Sequence, residues 1–309
     1  MTTQAEATAL ENIDPSLRRL ARLLPYRNGL FARHLRVMRA QTSFMGLLQA
    51  ARDVDVVAVS PTASVRVHRP HDLADNSPAV LWIHGGGYIA GCARMDERLV
   101  AKTAHELGAS VVSVEYRLAP EHPYPAALDD CYAALRWLAA REDVDRSRIL
   151  VAGVSAGGGL AAALALRCLD TGLVGLAGQV LVYPMLDDRT VTRSTLTGAR
   201  GWTPEDNAFG WRSYLGCEPA AEGVSAYAAP SRRKDLTGLP PTWIGVGTAD
   251  LFHDENLDYA TRLRQAGVST QLYIVTGAYH GFDQVRTKNP LAQRFHHHRL
   301  ATMRDFLAT

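Results

Sequence analysis

Residues Arg148 to Leu166 read as strand, tight turn and helix, and the rest of the chain must accommodate that turn. Arg148-Ile149-Leu150-Val151-Ala152 is a short apolar run of strand type. Gly153-Val154-Ser155-Ala156-Gly157 follows, and Gly158 to Leu166 is rich in Ala and Leu. Gly-x-Ser-x-Gly between a strand and a helix is the context in which the pattern marks a nucleophile. The chain must turn sharply, so the neighbours of the tip are small and the two backbones pass close together. Ser155 then projects its hydroxyl from the tip with the helix N-terminus beneath it. That positive end favours the negative charge that develops in acyl transfer. The rival readings are a turn that only packs tightly and a phosphate loop. The second fails because no Gly-Lys-Ser/Thr follows.

A serine hydroxyl needs a base to take its proton, and the base needs an orienting acid. On this kind of turn the chain order is Ser, then Asp or Glu, then His. The acid is expected after the strand Thr242-Trp243-Ile244-Gly245-Val246-Gly247, where Asp250, Asp254, Glu255 and Asp258 are available. Asp250 lies three residues past that strand in a loop and is preferred. Asp254 and Glu255 read as helix-start residues serving as caps or dipole partners. The base is expected after the last strand, and His280 stands in the loop Gly277-Ala278-Tyr279-His280-Gly281-Phe282. His253 is too near the acid. His296, His297 and His298 fall inside a helix and read as its surface; without His-x-x-x-His spacing they are not zinc ligands. For the oxyanion, Ile83-His84-Gly85-Gly86-Gly87-Tyr88 follows a buried strand, and its glycines let backbone N–H groups approach a substrate. The Gly86, Gly87 and Ala156 N–H groups are the expected donors.

The order of elements agrees. Two helical stretches, Pro15 to Leu24 and Gly29 to Leu48, carry Arg18, Arg19, Arg22, Arg27, Arg33, Arg36 and Arg39, read as a solvated face. Val54 to Val59 and Ala63 to His68 alternate, as antiparallel edge strands do. Ala79 to Ile83, Ser110 to Val114, the nucleophile strand, Gly178 to Tyr183, Thr242 to Gly247 and Thr270 to Val275 read as strands, mostly buried and joined by helices. That pattern predicts an α/β fold with about eight strands in a doubly wound, mostly parallel sheet. Every motif then falls at strand C-termini, where such sheets hold their sites. Residues 1–50 and an insert at about 187–216 are expected to cap a catalytic domain of residues 51–309. Thr203 and Pro204 open a helix in the insert, and Trp202 and Phe209 are candidates for the pocket wall.

The 309 residues carry 33 basic and 31 acidic side chains, so no charge excess points to nucleic acid. The four cysteines have no CxxC pair, and neither a signal core nor a membrane-length apolar run is present. A reduced, cytoplasmic chain without metal, cofactor or stable membrane insertion is expected.

These residues resemble the hormone-sensitive-lipase-like branch of the α/β-hydrolases, the bacterial carboxylesterases. His84-Gly85-Gly86-Gly87 is similar to the family's HGGG. Tyr116-Arg117-Leu118-Ala119-Pro120-Glu121-His122-Pro123-Tyr124-Pro125-Ala126 is similar to its YRLAPEHPFPA segment, and Tyr183-Pro184-Met185-Leu186-Asp187 to its YPMLD. Asp250 to Glu255 and Tyr279 to Phe282 resemble its acid and histidine loops. The resemblance implies an eight-stranded α/β-hydrolase sheet with a helical cap. It also implies hydrolysis of short- to medium-chain acyl esters through Ser155, His280 and Asp250, without a cofactor, and leaves a homodimer open. Val154 departs from the family elbow, which has Asp or Thr before the serine; valine matches threonine in shape but lacks its hydroxyl. Amide or lactone hydrolysis by the same triad is the alternative chemistry. A non-catalytic small-molecule receptor is the alternative outside enzymes.

Overall fold

The computed structural model describes residues 10–24, 29–51, 54–193, 200–285 and 288–308. Arg27 and residues 194–199 of the expected insert lie outside them. Eight strands form one sheet: β1 (Asp55–Ala58), β2 (Ser64–His68), β3 (Ser77–Ile83), β4 (Ser110–Glu115), β5 (Val144–Val154), β6 (Gly178–Val182), β7 (Thr242–Gly247) and β8 (Thr270–Val275). Their order is β1-β2-β4-β3-β5-β6-β7-β8. The pairings β1/β2 and β2/β4 are antiparallel and all the others parallel. The expected sheet is therefore present, with one correction. β2 lies between β1 and β4, so of the two alternating strands only β1 is an edge. The other edge is β8, where Ile274 is exposed because no strand among the described residues covers its outer side.

Alternation along the strands feeds two cores. Leu81, Ile83, Val112, Val151, Leu181 and Ile244 enter one cluster. Val80, Trp82, Val111, Leu150, Val182 and Trp243 enter the other. Helices α4 (Ala126–Ala139), α5 (Ala156–Thr171) and α8 (His253–Gln265) supply the first face; α3 (Glu97–Leu107) and α10 (Pro290–Ala308) supply the second. Chain order reverses on either side of β3, so the loops after β3 and β5 meet at the switch point of the sheet, where open α/β sheets form their crevice.

The remaining helices are α1 (Pro15–Ala21), α2 (Leu30–Gln49), α6 (Thr190–Arg193), α7 (Pro204–Leu215) and α9 (Phe282–Val285). In α7, Thr203 is the N-cap and its hydroxyl accepts from Asp206 N at 3.1 Å. The Asp206 carboxylate in turn accepts from Phe31 N at 2.9 Å and Ala32 N at 3.3 Å, capping α2 from a segment 175 residues away. Burial raises the Asp206 pKa, and the capping bonds oppose that shift. The arginines of the N-terminal helices are not a uniform solvated face. Arg19, Arg22, Arg33 and Arg36 are exposed, but Arg39 donates to Ile89 O and Ala119 O, each at 2.7 Å, and to both Glu121 oxygens. That contact pulls the Glu121 carboxyl down to about 2.

Candidate active site

The turn after β5 has the form its glycines imply. A Cβ on Gly157 would lie 2.2 Å from Ile83 O, so only glycine lets the helix start this close to β3. Ser155 sits at φ 57° and ψ −120°, a strained conformation for a residue with a side chain. Its backbone is held from both sides: Ser155 N donates to Val182 O at 2.9 Å, and Met185 N and Gly159 N donate to Ser155 O at 3.0 Å each.

His280 and Asp250 converge on this tip. Ser155 Oγ lies 2.9 Å from His280 Nε2, and His280 Nδ1 lies 2.9 Å from Asp250 Oδ2. A carboxylate can only accept, so Nδ1 carries the proton and Nε2 is left as acceptor for the serine hydroxyl. The second oxygen of Asp250 accepts from Phe252 N at 2.9 Å, and the side chain is fully buried. The acid and histidine loops are also joined directly, Ala249 N donating to Ala278 O at 3.0 Å.

The other carboxylates face elsewhere. Asp254 is exposed and accepts from His253 Nδ1 at 2.8 Å. Glu255 is not the dipole partner expected from its place in the first turn of α8. It is buried, accepts from Leu186 N at 2.7 Å and from the Thr190 hydroxyl, and so anchors the loop after β6. Burial drives its pKa well above the usual carboxylate range, against those bonds. Asp258 lies 3.7 Å from Arg262, one turn along α8. Of the three consecutive histidines only His297 is exposed. His298 Nδ1 accepts from Trp243 Nε1 at 3.0 Å, and His296 Nε2 lies 3.7 Å from Asp283, because α10 lays its apolar stripe on the sheet and both histidines flank that stripe.

The glycine loop after β3 lies against the serine, since a Cβ on Gly85 would be 3.3 Å from Ser155 Cβ. Gly86 has φ +127°, and a Cβ there would meet Ala90 O at 2.0 Å. Gly87 has φ +62° and carries Trp202 directly on it, with Cη2 2.1 Å from a would-be Cβ. Trp202 is buried and tilts against Phe31 at 5.4 Å, whereas Phe209 is only partly buried. Ala156 is the first residue of α5 and is buried. His84 stacks on Tyr116 at 4.1 Å, and Tyr116 donates to His84 O at 3.0 Å. Tyr88 donates to Met185 O at 3.0 Å and accepts through its carbonyl from Ala119 N. Burial raises both tyrosine pKa values far above 10, so their hydroxyls stay donors. Val154 packs on Gly85 through Cγ1, so it contributes shape where a threonine hydroxyl would stand.

A sheet of this order, with serine, histidine and aspartate hydrogen-bonded across its C-terminal edge, defines an α/β hydrolase. A family model described as the alpha/beta hydrolase fold matches residues 80–284. The chain belongs to that family, in its hormone-sensitive-lipase-like esterase branch, a group of carboxylic ester hydrolases. Carboxylesterase NlhH of Mycobacterium tuberculosis (strain ATCC 25618 / H37Rv) is 39% identical over 226 residues, 71% of this chain and 70% of that protein. Gibberellin receptor GID1A of Arabidopsis thaliana is 31% identical over 233 residues, 72% of this chain and 67% of that protein. The solved structure of a bacterial heroin esterase superposes with a TM-score of 0.88 at 36% identity, covering 96% of this chain and 99% of that one. No helix among the described residues is long and apolar enough to cross a membrane.

Proposed function

We propose that the protein is a serine carboxylesterase acting on short- to medium-chain acyl esters through Ser155, His280 and Asp250. The observation that carries the reading is the unbroken line of hydrogen bonds from Ser155 Oγ through both imidazole nitrogens to a buried carboxylate. Ser155 Oγ attacks the ester carbonyl carbon while its proton passes to His280 Nε2. The Asp250 carboxylate stabilises the imidazolium that forms. The carbonyl oxygen, now negative, takes hydrogen bonds from the N–H groups of Gly86, Gly87 and Ala156. The C–O bond to the alcohol breaks, the alcohol leaves with the proton from Nε2, and the acyl group stays on Ser155. Water then attacks the acyl-enzyme, giving its proton to His280, and the carboxylic acid departs as Ser155 is restored. No step draws on a metal or cofactor. Helix α2 and the segment around α7 form a cap over this edge, a reading supported by the Asp206 bonds between them and the seat of Trp202 on Gly87.

The test is a panel of nitrophenyl esters of rising acyl length. Turnover should be greatest at about two to eight carbons, and Ser155→Ala should abolish it while leaving the fold intact. Preferred turnover of emulsified long-chain triglycerides would overturn the chain-length reading. The receptor among the relatives gives the second reading its interest. Stoichiometric labelling of Ser155 by an alkyl phosphonate separates the two, because a receptor has no need of an activated serine.

A further inference from the structure

Tyr183 is the residue at which β6 stops, and it is strained there. Its φ is +32°, a region bulky side chains enter only when their surroundings force them. Tyr183 N donates to Gly245 O at 2.7 Å, which pins the backbone to β7. The ring meets His280 edge-on, with centroids 4.7 Å apart and planes at 64°. The hydroxyl, deep in the core, donates to Asp283 Oδ1 at 2.7 Å. Asp283 is buried in α9, three residues past His280. Behind it lie His296, with Nε2 3.7 Å from Asp283 Oδ2, and the buried Arg299, whose guanidinium stands 5.3 Å over the Trp82 ring. Trp82 Nε1 in turn donates to Asp96 at 2.8 Å. A phenylalanine at 183 would fill the same space without a polar atom to satisfy, so packing alone does not explain the hydroxyl.

The neighbouring residue supplies the reason. Val182 O accepts from Ser155 N at 2.9 Å, so the end of β6 already holds the nucleophile. Tyr183 holds the base from the next position, by its ring against the imidazole and by its hydroxyl on the helix that follows the histidine loop. We infer that Tyr183 and Asp283 are a positioning pair for His280, fixing the imidazole against Ser155 from the same strand end that fixes Ser155. This rests on the triad reading above and adds to it two residues that act through His280. Nothing else in the reaction requires the Tyr183–Asp283 bond. Its effect is geometric, and misplacement of a catalytic group by about 1 Å can cost 10²-fold in rate.

The experiment compares Tyr183→Phe, Asp283→Asn and Ser155→Ala on p-nitrophenyl acetate. Active sites are counted by phosphonate titration, and thermal unfolding is followed in parallel. Y183F removes the donor and should lower kcat per titrated site about tenfold with KM changed less than twofold. D283N keeps an oxygen acceptor, so its kcat should stay within about threefold, while its Tm falls because Arg299 loses a charged neighbour. A purely structural role would instead lower Tm in both and kcat per site in neither. Y183F turning over within twofold of wild type per site overturns the inference. If Y183F does not fold, Y183F/D283N, which leaves no buried carboxylate without its donor, must show the tenfold loss; a wild-type kcat there also overturns it. If S155A keeps turnover, the triad reading fails and takes this inference with it. If S155A is dead and Y183F is unimpaired, only this inference fails.

Discussion

Replacing Asp250 by Asn distinguishes a working carboxylate from a neighbour, and the structure fixes what the amide would do. Asp250 has two partners: Oδ1 accepts from Phe252 N and Oδ2 accepts from His280 Nδ1, each at 2.9 Å. Phe252 N can only donate, so the asparagine carbonyl oxygen must take that position. The NH2 group is then aimed at His280 Nδ1, which has to become an acceptor. The imidazole proton moves to Nε2, and Nε2 can no longer take the proton of Ser155. Geometry survives while the tautomer is wrong, and the imidazolium loses its compensating charge as well. The corresponding change in serine proteases costs about 10⁴ in kcat, or about 5.5 kcal/mol at 1.36 kcal/mol per decade. Asp254→Asn is the control. That carboxylate is exposed, and its hydrogen-bond partner among the described residues is the neighbouring His253, so its loss should cost under about 1 kcal/mol of stability and leave kcat within a few-fold. The assay is kcat and KM on p-nitrophenyl butyrate, with circular dichroism to confirm folding. Collapse in Asp254→Asn with activity retained in Asp250→Asn would refute the assignment of the acid, although Ser155 and His280 would stand.

Three further outcomes are expected. Ser155→Gly should be more stable than Ser155→Ala by about 1 kcal/mol in urea unfolding, because glycine relieves the strain at φ 57° that alanine retains; equal midpoints would show that no strain is stored there. Gly86→Ala should lower kcat about 10²- to 10³-fold, since its Cβ would fall 2.0 Å from Ala90 O and push the proposed oxyanion donor out of place; steady-state kinetics giving a near-wild-type kcat would remove Gly86 from that role. Glu255 has a folded-state pKa raised by burial above its ordinary 4.5. The folded state therefore holds more protons than the unfolded state above pH 4.5, and wild-type stability falls as pH rises through the raised value. Glu255→Gln does not titrate, so its stability relative to wild type should climb with pH across that window; a flat difference in urea unfolding measured at several pH values would contradict this.

Much of the site could be read from the chain because each part follows a strand and carries a local signature. Ser155 stands between glycines that admit β3 and α5, and the glycine loop follows the apolar run Ala79 to Ile83 of β3. Asp250 and His280 each stand in the short loop after a strand, where a doubly wound sheet opens. Residues that act through long-range contacts gave no such signature. Glu255 occupies the first turn of α8, where a carboxylate ordinarily meets the helix dipole, and nothing local says that the loop after β6 will fold over it. Tyr183 and Asp283 are 100 residues apart and look like a strand-end aromatic and a helix-start acid. The inward-facing histidines had a usable signal. Ala292, Phe295, Arg299, Thr302, Met303 and Phe306 recur at three- and four-residue spacing, and counting Arg299 within that stripe would have placed His296 and His298 along its borders.

Arg39 shows why the N-terminal helices could not be assigned from charge alone. An arginine on a helix with polar neighbours reads as solvated, and for Arg33 and Arg36 that is what the structure has. Arg39 differs only in what α2 lies against: the segment that follows the glycine loop on one side and the turn at Ala119 on the other. One guanidinium meets Ile89 O, Ala119 O and both oxygens of Glu121. A lysine ammonium has three donors around one point and cannot span four acceptors spread over two segments, whereas the planar fork of arginine can. The contact therefore fixes the distance between the glycine loop and the segment bracing it, and does so from a helix far from both in sequence. Ala119 N also donates to Tyr88 O, the residue immediately after Gly87. The geometry of the proposed oxyanion donors is thus set partly by α2, through hydrogen bonds to backbone that any sequence could have supplied, which is why no motif announces it.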